Sequence, residues 1–524
     1  MTSPYARFPD SLADMSAERR LLVRSVFAVS IGIALVLALE SAVTLLTEPI
    51  AVGRLFAFHP DEARAFVNTL GGSFNQLLAV VFTTVAIAVP LTANMYSVKF
   101  LELFITDRVN LVVLLLFVLG IPNNAWLQHT LKGDLFPVFQ VYLTLGMAVV
   151  YPSLLVPYLY YIFRFLHPGT LLRRLSREFC DSVAGARSRP GEAVRHSAAA
   201  AVLLEHVASV GVRSVERGDR STAVESVLAL GDVLRRYWRE KAALPDAWFT
   251  ANPAAFRSFA PEEVREIAEH RITVEMKVFS ELREVLSAAA PRMHDVVSAV
   301  ADTARALGLE REARRDPRLE DMVVEYFNTF IRLTINRKDV RSVFILFHHY
   351  RAYAQGIAME RPERVQEIAY FFQYYAQAAR DAGLPFVVET IAHDLGELVR
   401  AAWENGYPNR EKLLERFLLF DLGAPQPLPG VKKAQAILAG YFLMRGLDGQ
   451  ARQIRESFKG LPPALLAAMQ DDLLHVRREK FWEVNDRRVN MDFVPPAQRE
   501  QIARLFAGLT PAGHPAAAPA GVDA

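Results

Sequence analysis

Four long apolar runs occupy the first third of the chain, at about residues 25–46, 77–98, 109–127 and 136–166. A helix rises ~1.5 Å per residue through a hydrocarbon core of ~30 Å, so roughly 20 mostly apolar residues cross it. Each run therefore predicts a transmembrane helix. Pro122, with Asn123 and Asn124 behind it, predicts a break in the last turn of the third. Pro152 and Pro157 predict a kink in the fourth, and Tyr158, Tyr160 and Tyr161 an interfacial aromatic belt at its end.

Beyond residue 167 the pattern changes to amphipathic helices punctuated by Gly and Pro. Over 362–382, Val365, Ile368, Ala369, Phe372, Ala376 and Ala379 recur at the spacing of one helix face. Gly383 and Pro385 stop that helix and start the next, which carries Val388, Ile391, Leu395, Leu398 and Val399 on one side. Candidate helices begin near Asp339, Pro362 and Pro385, roughly 23 residues apart, which suggests stacked helix pairs of a solenoid kind. Strand signals are almost absent. The expected fold is all-α, a four-helix transmembrane domain followed by a large solenoid-like cytoplasmic domain.

The domain boundaries expected are a cytoplasmic segment 1–24, a transmembrane domain 25–167, a helical domain 168–510 and a disordered tail 511–524 rich in Ala, Pro and Gly. The stretch 424–430 (APQPLPG) predicts a loop. FWEVNDRRVNMDFVPP, at 481–496, predicts either an ordered loop packed back on the domain or a docking element.

Basic residues orient the membrane part. Arg19, Arg20 and Arg24 precede the first run, Lys99 and Arg108 lie between the second and third, and Arg164, Arg173, Arg174 and Arg177 cluster after the fourth. The opposite loops carry only Arg54, Arg64 and Lys132, so both termini are expected in the cytoplasm of a cell whose inner membrane holds the protein. The first run exceeds the ~7–15 apolar residues of a signal peptide, which favours a retained helix over cleavage near Ala38 to Ala42.

Part of this region resembles a known family. The points of likeness are Ala63–Arg64, Thr69 to Ser73, Val81–Phe82–Thr83, Ser97 to Leu101, and Asp107–Arg108. They are similar to the motifs of bacterial predicted membrane proteins grouped as domain of unknown function 2254. Val98 and Lys99 stand where that family has proline and arginine, and Pro90 interrupts its second span. The resemblance implies membrane topology and brings no activity.

Charge and chemistry narrow the picture further. A formal net charge of +2, with no basic block on any expected helix, excludes a general polyanion binder, so no nucleic-acid partner is expected. Cys180 is the only cysteine, which excludes an intrachain disulfide and a cysteine metal site. Phosphate-cradling glycine loops, nucleophile elbows and Ser–His–Asp patterns are missing, so neither an enzyme nor a cofactor is expected. Glu266–His270, His393–Glu397 and Asp471–His475 sit at helical i, i+4 spacing, which suits solvated pairs more than metal sites. His348–His349, in an aromatic helix, reads as packing.

Glu40, a carboxylate inside the first run, is either an interfacial residue or an ion site. Gln76, Thr83, Pro90, Asn94 and Ser97 follow one stripe of the second run, with Val80 and Ile87 completing it. Such a seam either hydrogen-bonds to neighbouring helices or lines a water path. Two functions follow from these residues and from the solenoid pattern. One is an oligomeric channel or transporter-like pore with a cytoplasmic regulatory domain. The other is a membrane-anchored scaffold whose helical repeats bind a cytoplasmic protein; in both, the lipid bilayer is the first partner.

Overall fold

A computed structural model describes residues 60–96, 99–130, 138–420, 427–480, 489–507 and 509. The first run, with Glu40, the segment 1–24, Ser97 and the tail 511–524 lie outside them. The described residues are helical, with an isolated bridge between Lys480 and Val489 as the extended pairing among them. They fall into two compact units: residues 60–181 with Glu205–Ser214, and Ser182–Leu204 with the described residues from Val215 onward.

The first unit is built on three long helices, α1 (Pro60–Met95), α3 (Arg108–Thr130) and α4 (Val138–Phe165), each packed on the other two. The short α2 (Lys99–Thr106) links α1 to α3. Their shared core is Phe74, Val81, Val113, Tyr151, Tyr158 and Ile162. Phe74 meets Tyr151 edge-on at 4.8 Å, and the Tyr151 hydroxyl donates to the Leu116 carbonyl at 3.0 Å. The outer surface is apolar too, with Ile87, Leu111, Val112, Val156 and Phe163 all exposed. A bundle apolar inside and outside has a hydrocarbon environment as its physical match.

Three described helices are long and apolar enough to cross a membrane by length and composition: Arg64–Thr92, Gly146–Phe165 and Pro190–Arg217. The first two overlap the expected second span, 77–98, and fourth span, 136–166, the first of them starting 13 residues earlier. The expected third span lies inside α3, which runs unbroken through Pro122 to Thr130. The predicted break is thus corrected. Proline forfeits one backbone hydrogen bond without ending the helix, and the Asn123 side chain beside it ties this turn to α4 by donating to Thr144 Oγ1 at 3.4 Å. The aromatic belt is corrected as well: Tyr160 is exposed, whereas Tyr158 is 1% exposed in the bundle core. The third stretch, Pro190–Arg217, was read from sequence as part of the helical domain; it covers α6 (Ala193–Arg217), which follows α5 (Pro168–Ser188).

The second unit is a two-layer array of helix pairs. Its first helices are α9 (Thr273–Ala289), α12 (Pro317–Asn336), α14 (Pro362–Asp381) and α16 (Arg410–Leu418). Their partners are α10 (His294–Gly308), α13 (Val340–Ile357), α15 (Pro385–Glu404) and α17 (Pro429–Met444). In each layer a helix packs on its counterpart from the next pair, as α-solenoids do. The first helices start 44, 45 and 48 residues apart, so the spacing near 23 read from sequence is half a repeat.

Local chemistry explains the boundaries. Pro317, Pro362, Pro385 and Pro429 each open a helix, where the missing N–H costs nothing and φ is already helical. Asp339 caps α13 by accepting from the Ser342 N–H at 3.2 Å. Gly383, at φ +74°, closes α14 in the left-handed region that a side chain disfavours. The residues assigned to the buried faces of α14 and α15 are all buried. The loop expected at 424–430 is shorter than its motif, since Pro429 and Gly430 already belong to α17. Of the 481–496 segment, the described part packs back on the unit, with Val494 fully buried and Lys433 ion-paired to Asp492.

Polar side chains stitch one repeat to the next at a nearly constant separation. Gln366 and Gln373 on α14 donate to the carbonyls of Asn409 and Arg416, each 43 residues on, at 3.0 and 2.7 Å. Arg351 reaches Asp394 across the same interval at 3.1 Å. Arg361 meets Glu320, and Arg364 meets Asp321.

Candidate functional site

Asp107 sits in the tight connection between α2 and α3, where four polar interactions converge on one carboxylate. Its Oδ2 accepts from the N–H groups of Val109 and Asn110 at 3.1 and 3.2 Å, capping α3. The same oxygen accepts from the Tyr161 hydroxyl of α4 at 2.7 Å. Its Oδ1 accepts from Arg174 on α5 at 3.2 Å. Arg174 also donates to the Tyr161 hydroxyl at 3.3 Å and lies over the Phe165 ring at 4.0 Å.

The side chains of Arg174 and Asp107 are only 15% and 14% exposed. A pair this buried repays its desolvation only when its remaining donors and acceptors are matched; the helix cap and the tyrosine match the Asp107 carboxylate, whereas the buried Nε of Arg174 has no hydrogen-bond partner. The knot ties the start of α3 to the end of α4 and the start of α5. Its role is to join helices.

Sequence reading used Arg174 for orientation alone and noted Asp107 only as one point of the family likeness. The available signal was an aspartate directly before a long apolar run, the position of a helix cap.

The stripe of the second run takes a different place. Gln76, Thr83, Pro90 and Asn94 lie on one exposed face of α1, with Val80 and Ile87. The face of α1 that packs on α3 and α4 is Phe74 and Val81, flanked by Leu77, Leu78 and Val85. Thr84 and Thr92, off the stripe, satisfy their hydroxyls on the carbonyls of Val80 and Ala88. Arg213 donates to the Asn94 carbonyl at 2.6 Å, placing a cation at the C-terminal end of α1 where the helix dipole favours it.

The histidine pairs stay apart from one another. Asp471 and His475 pair at 2.7 Å on an exposed helix face, and Glu397 pairs with Arg400. His349 is buried between Ser298 Oγ at 3.4 Å and Asp302 Oδ1 at 3.7 Å, as a packing residue would be. Among the described residues, no three His, Cys, Asp or Glu side chains converge to hold a metal ion.

Two open grooves mark the surface of the helical array. One, lined by Asp246, Phe249 and Arg271, contains its own ion pair between Arg271 and Asp246. The other, of about 810 Å³, runs between α12 and α14 and is lined by Arg332, Arg337, Tyr370 and Tyr374 among others. It is rich in tyrosine and arginine, the residue types that dominate protein-binding surfaces.

Known proteins place the chain only in part. No curated protein matches it. Among solved structures, a "circular tandem repeat protein with novel repeat topology and enhanced subunit contact surfaces" covers 85% of this chain and 96% of its own, at 14% identity. Its TM-score is 0.25, too low to carry an argument. Residues 18–223, which include Asp107, Arg174 and the α1 stripe, match the family described as "Predicted membrane protein (DUF2254)", so the resemblance holds across that whole stretch.

Proposed function

We propose that this protein is a multi-pass inner-membrane anchor, with four spans and both termini cytoplasmic, that carries a helical-repeat scaffold for a cytoplasmic protein partner. The observation that supports this best is the two-layer array of helix pairs from α9 to α17, whose repeats are joined by matched polar contacts. Such arrays present long, rigid surfaces, and the groove between α12 and α14 lies on one of them. The knot at Asp107 supports the anchoring role, because it binds apolar helices together. In this reading the protein is not an enzyme. Residues 215–510 expressed alone are expected to be soluble and helical. An insoluble or unfolded product would remove the scaffold reading.

A second reading, the oligomeric pore, draws on the outward stripe of α1. Gln76, Thr83 and Asn94 are exposed on α1 beside the exposed apolar Val80, Phe82, Ile87 and Leu91, and polar groups in hydrocarbon call for protein or water against them. Within the chain the core of α1, α3 and α4 is filled by Phe74, Tyr151 and Tyr158, so a water path would need several copies. Purified protein in liposomes would then pass ions, with flux altered by Glu40→Gln. A monomer in detergent, or no flux for any ion tested, removes this reading.

A further inference from the structure

The arginines of the helical array are not all treated alike. Arg314, Arg351, Arg361 and Arg364 each meet a carboxylate: Glu360, Asp394, Glu320 and Asp321 in turn. Arg332 and Arg337, which line the groove between α12 and α14, and Arg416 on α16, beside the Tyr370 ring of its lining, bond instead to neutral oxygens. Arg332 donates to the Tyr374 hydroxyl at 3.2 Å. Arg337 reaches the carbonyl and hydroxyl of Ser287. Arg416 donates to Gln373 Oε1 at 2.9 Å, and its buried Nε has no hydrogen-bond partner.

Aromatic rings lie between these cations. Arg332 sits 5.8 Å from the Tyr374 ring centre and Arg416 5.7 Å from that of Tyr370, both within cation–π range. Tyr370 and Tyr374 are 50% and 44% exposed, so two large rings face solvent one turn apart on α14. Exposed aromatics next to guanidinium groups without a carboxylate partner are the composition of a binding hot spot, because the rings give up little entropy on contact and the guanidinium fork supplies several directed donors.

The acidic side of the groove is set apart. Its carboxylate is Glu325, two turns before Arg332 on α12. Burial, and then the negative charges of Asp321 and Glu263, raise the Glu325 pKa above the ordinary carboxylate value. Arg364 and Arg318 act on that acid in the opposite sense, while among the described residues no carboxylate bonds to Arg332, Arg337 or Arg416.

We propose that this groove is the docking site for an acidic peptide segment of a protein partner, its carboxylates paired with Arg332, Arg337 and Arg416 and its apolar side chains laid on Tyr370 and Tyr374. The inference rests on the scaffold reading and names the chemistry of its partner. Arginine favours carboxylates because its planar fork matches both oxygens, and such charge-assisted bonds are about twice as strong as neutral ones. The groove's open shape suits an extended segment better than a small enclosed ligand.

The test uses the full chain in detergent and short fluorescein-labelled peptides in which Glu alternates with Phe or Leu, read by anisotropy. An otherwise identical set carries Lys in place of Glu. The acidic set is expected to bind, more weakly as salt is raised, and the lysine set is not. Arg332→Ala and Tyr374→Ala should each weaken binding about tenfold. Arg452→Ala, at an exposed arginine elsewhere, should leave it unchanged.

Arg332→Glu should reverse the preference toward the lysine set, an outcome that misfolding cannot mimic. Equal binding of the two sets, or acidic binding untouched by Arg332→Glu, overturns the proposal. So does binding confined to vesicles of anionic phospholipid, which would make the occupant a lipid headgroup. Failure of the groove alone is recognised when residues 215–510 fold but the acidic set does not bind. Failure of those residues to fold removes the scaffold reading as well.

Discussion

Arg174→Met should lower the stability of the first unit by about 3 kcal/mol, because it leaves a carboxylate buried without its cation. Asp107 would keep its two backbone donors and the Tyr161 hydroxyl, yet carry a charge that no basic side chain of the knot balances. The estimate takes the lower end of the range for broken buried pairs, since both side chains retain some exposure. For a unit of this size the loss corresponds to a fall in the apparent melting temperature on the order of 10 °C.

Asp107→Ala should be at least as severe, since it removes the cap of α3 together with the ion pair and the tyrosine's acceptor. Tyr161→Phe, which forfeits the hydrogen bond the hydroxyl donates to Asp107 and the one it accepts from Arg174, should cost about 2 kcal/mol. Thermal unfolding in detergent, followed by loss of the monodisperse species, measures all three. An unchanged melting temperature for Arg174→Met would mean that the pair does not hold these helices together.

Phe327→Ala should be the most damaging single change in the helical array, at about 4 kcal/mol. Phe327 is fully buried on α12 and lies face to face with Tyr350 of α13, the ring centres 4.8 Å apart and the planes at 5°. Tyr353 and Phe330 close the cluster, and Phe372 of the next repeat meets both Tyr350 and Phe347. Truncation removes a whole ring from a site that rigid aromatic neighbours cannot collapse to fill.

Each repeat contacts mainly its neighbours, so the damage should be local. Hydrogen exchange on the full chain should show amides of α12, α13 and α14 losing protection first, while α17 keeps it. Uniform loss across the array would instead show that it unfolds as one cooperative unit.

How much of this was legible beforehand depends on the range of the interaction. Helix starts at Pro362 and Pro385, the cap at Asp339 and the stop at Gly383 were all readable, because each acts within a turn of itself. The buried faces of α14 and α15 were readable for the same reason, since 3.6-residue periodicity is a local property. The course of α3 through Pro122 was not. Local rules predict a break there, and only packing against α4 decides that the helix continues.

The candidate sites divide in the same way. Spacing alone put Gln76, Thr83, Pro90 and Asn94 on one stripe, but which way that stripe faces was settled by the packing of Phe74 and Val81. Asp107 and Arg174 stand 67 residues apart, and nothing in either neighbourhood names the other. The contrast between ion-paired arginines and the three around the groove likewise exists only once repeats are stacked, since their partners lie about 40 to 50 residues away. From its sequence this protein has its apolar helices, their ends and their buried faces, because hydrophobic period and backbone capping are written in neighbouring residues. Which charges meet, and which are left facing solvent, is decided by tertiary structure, because Coulomb and hydrogen-bond partners are chosen by distance in space.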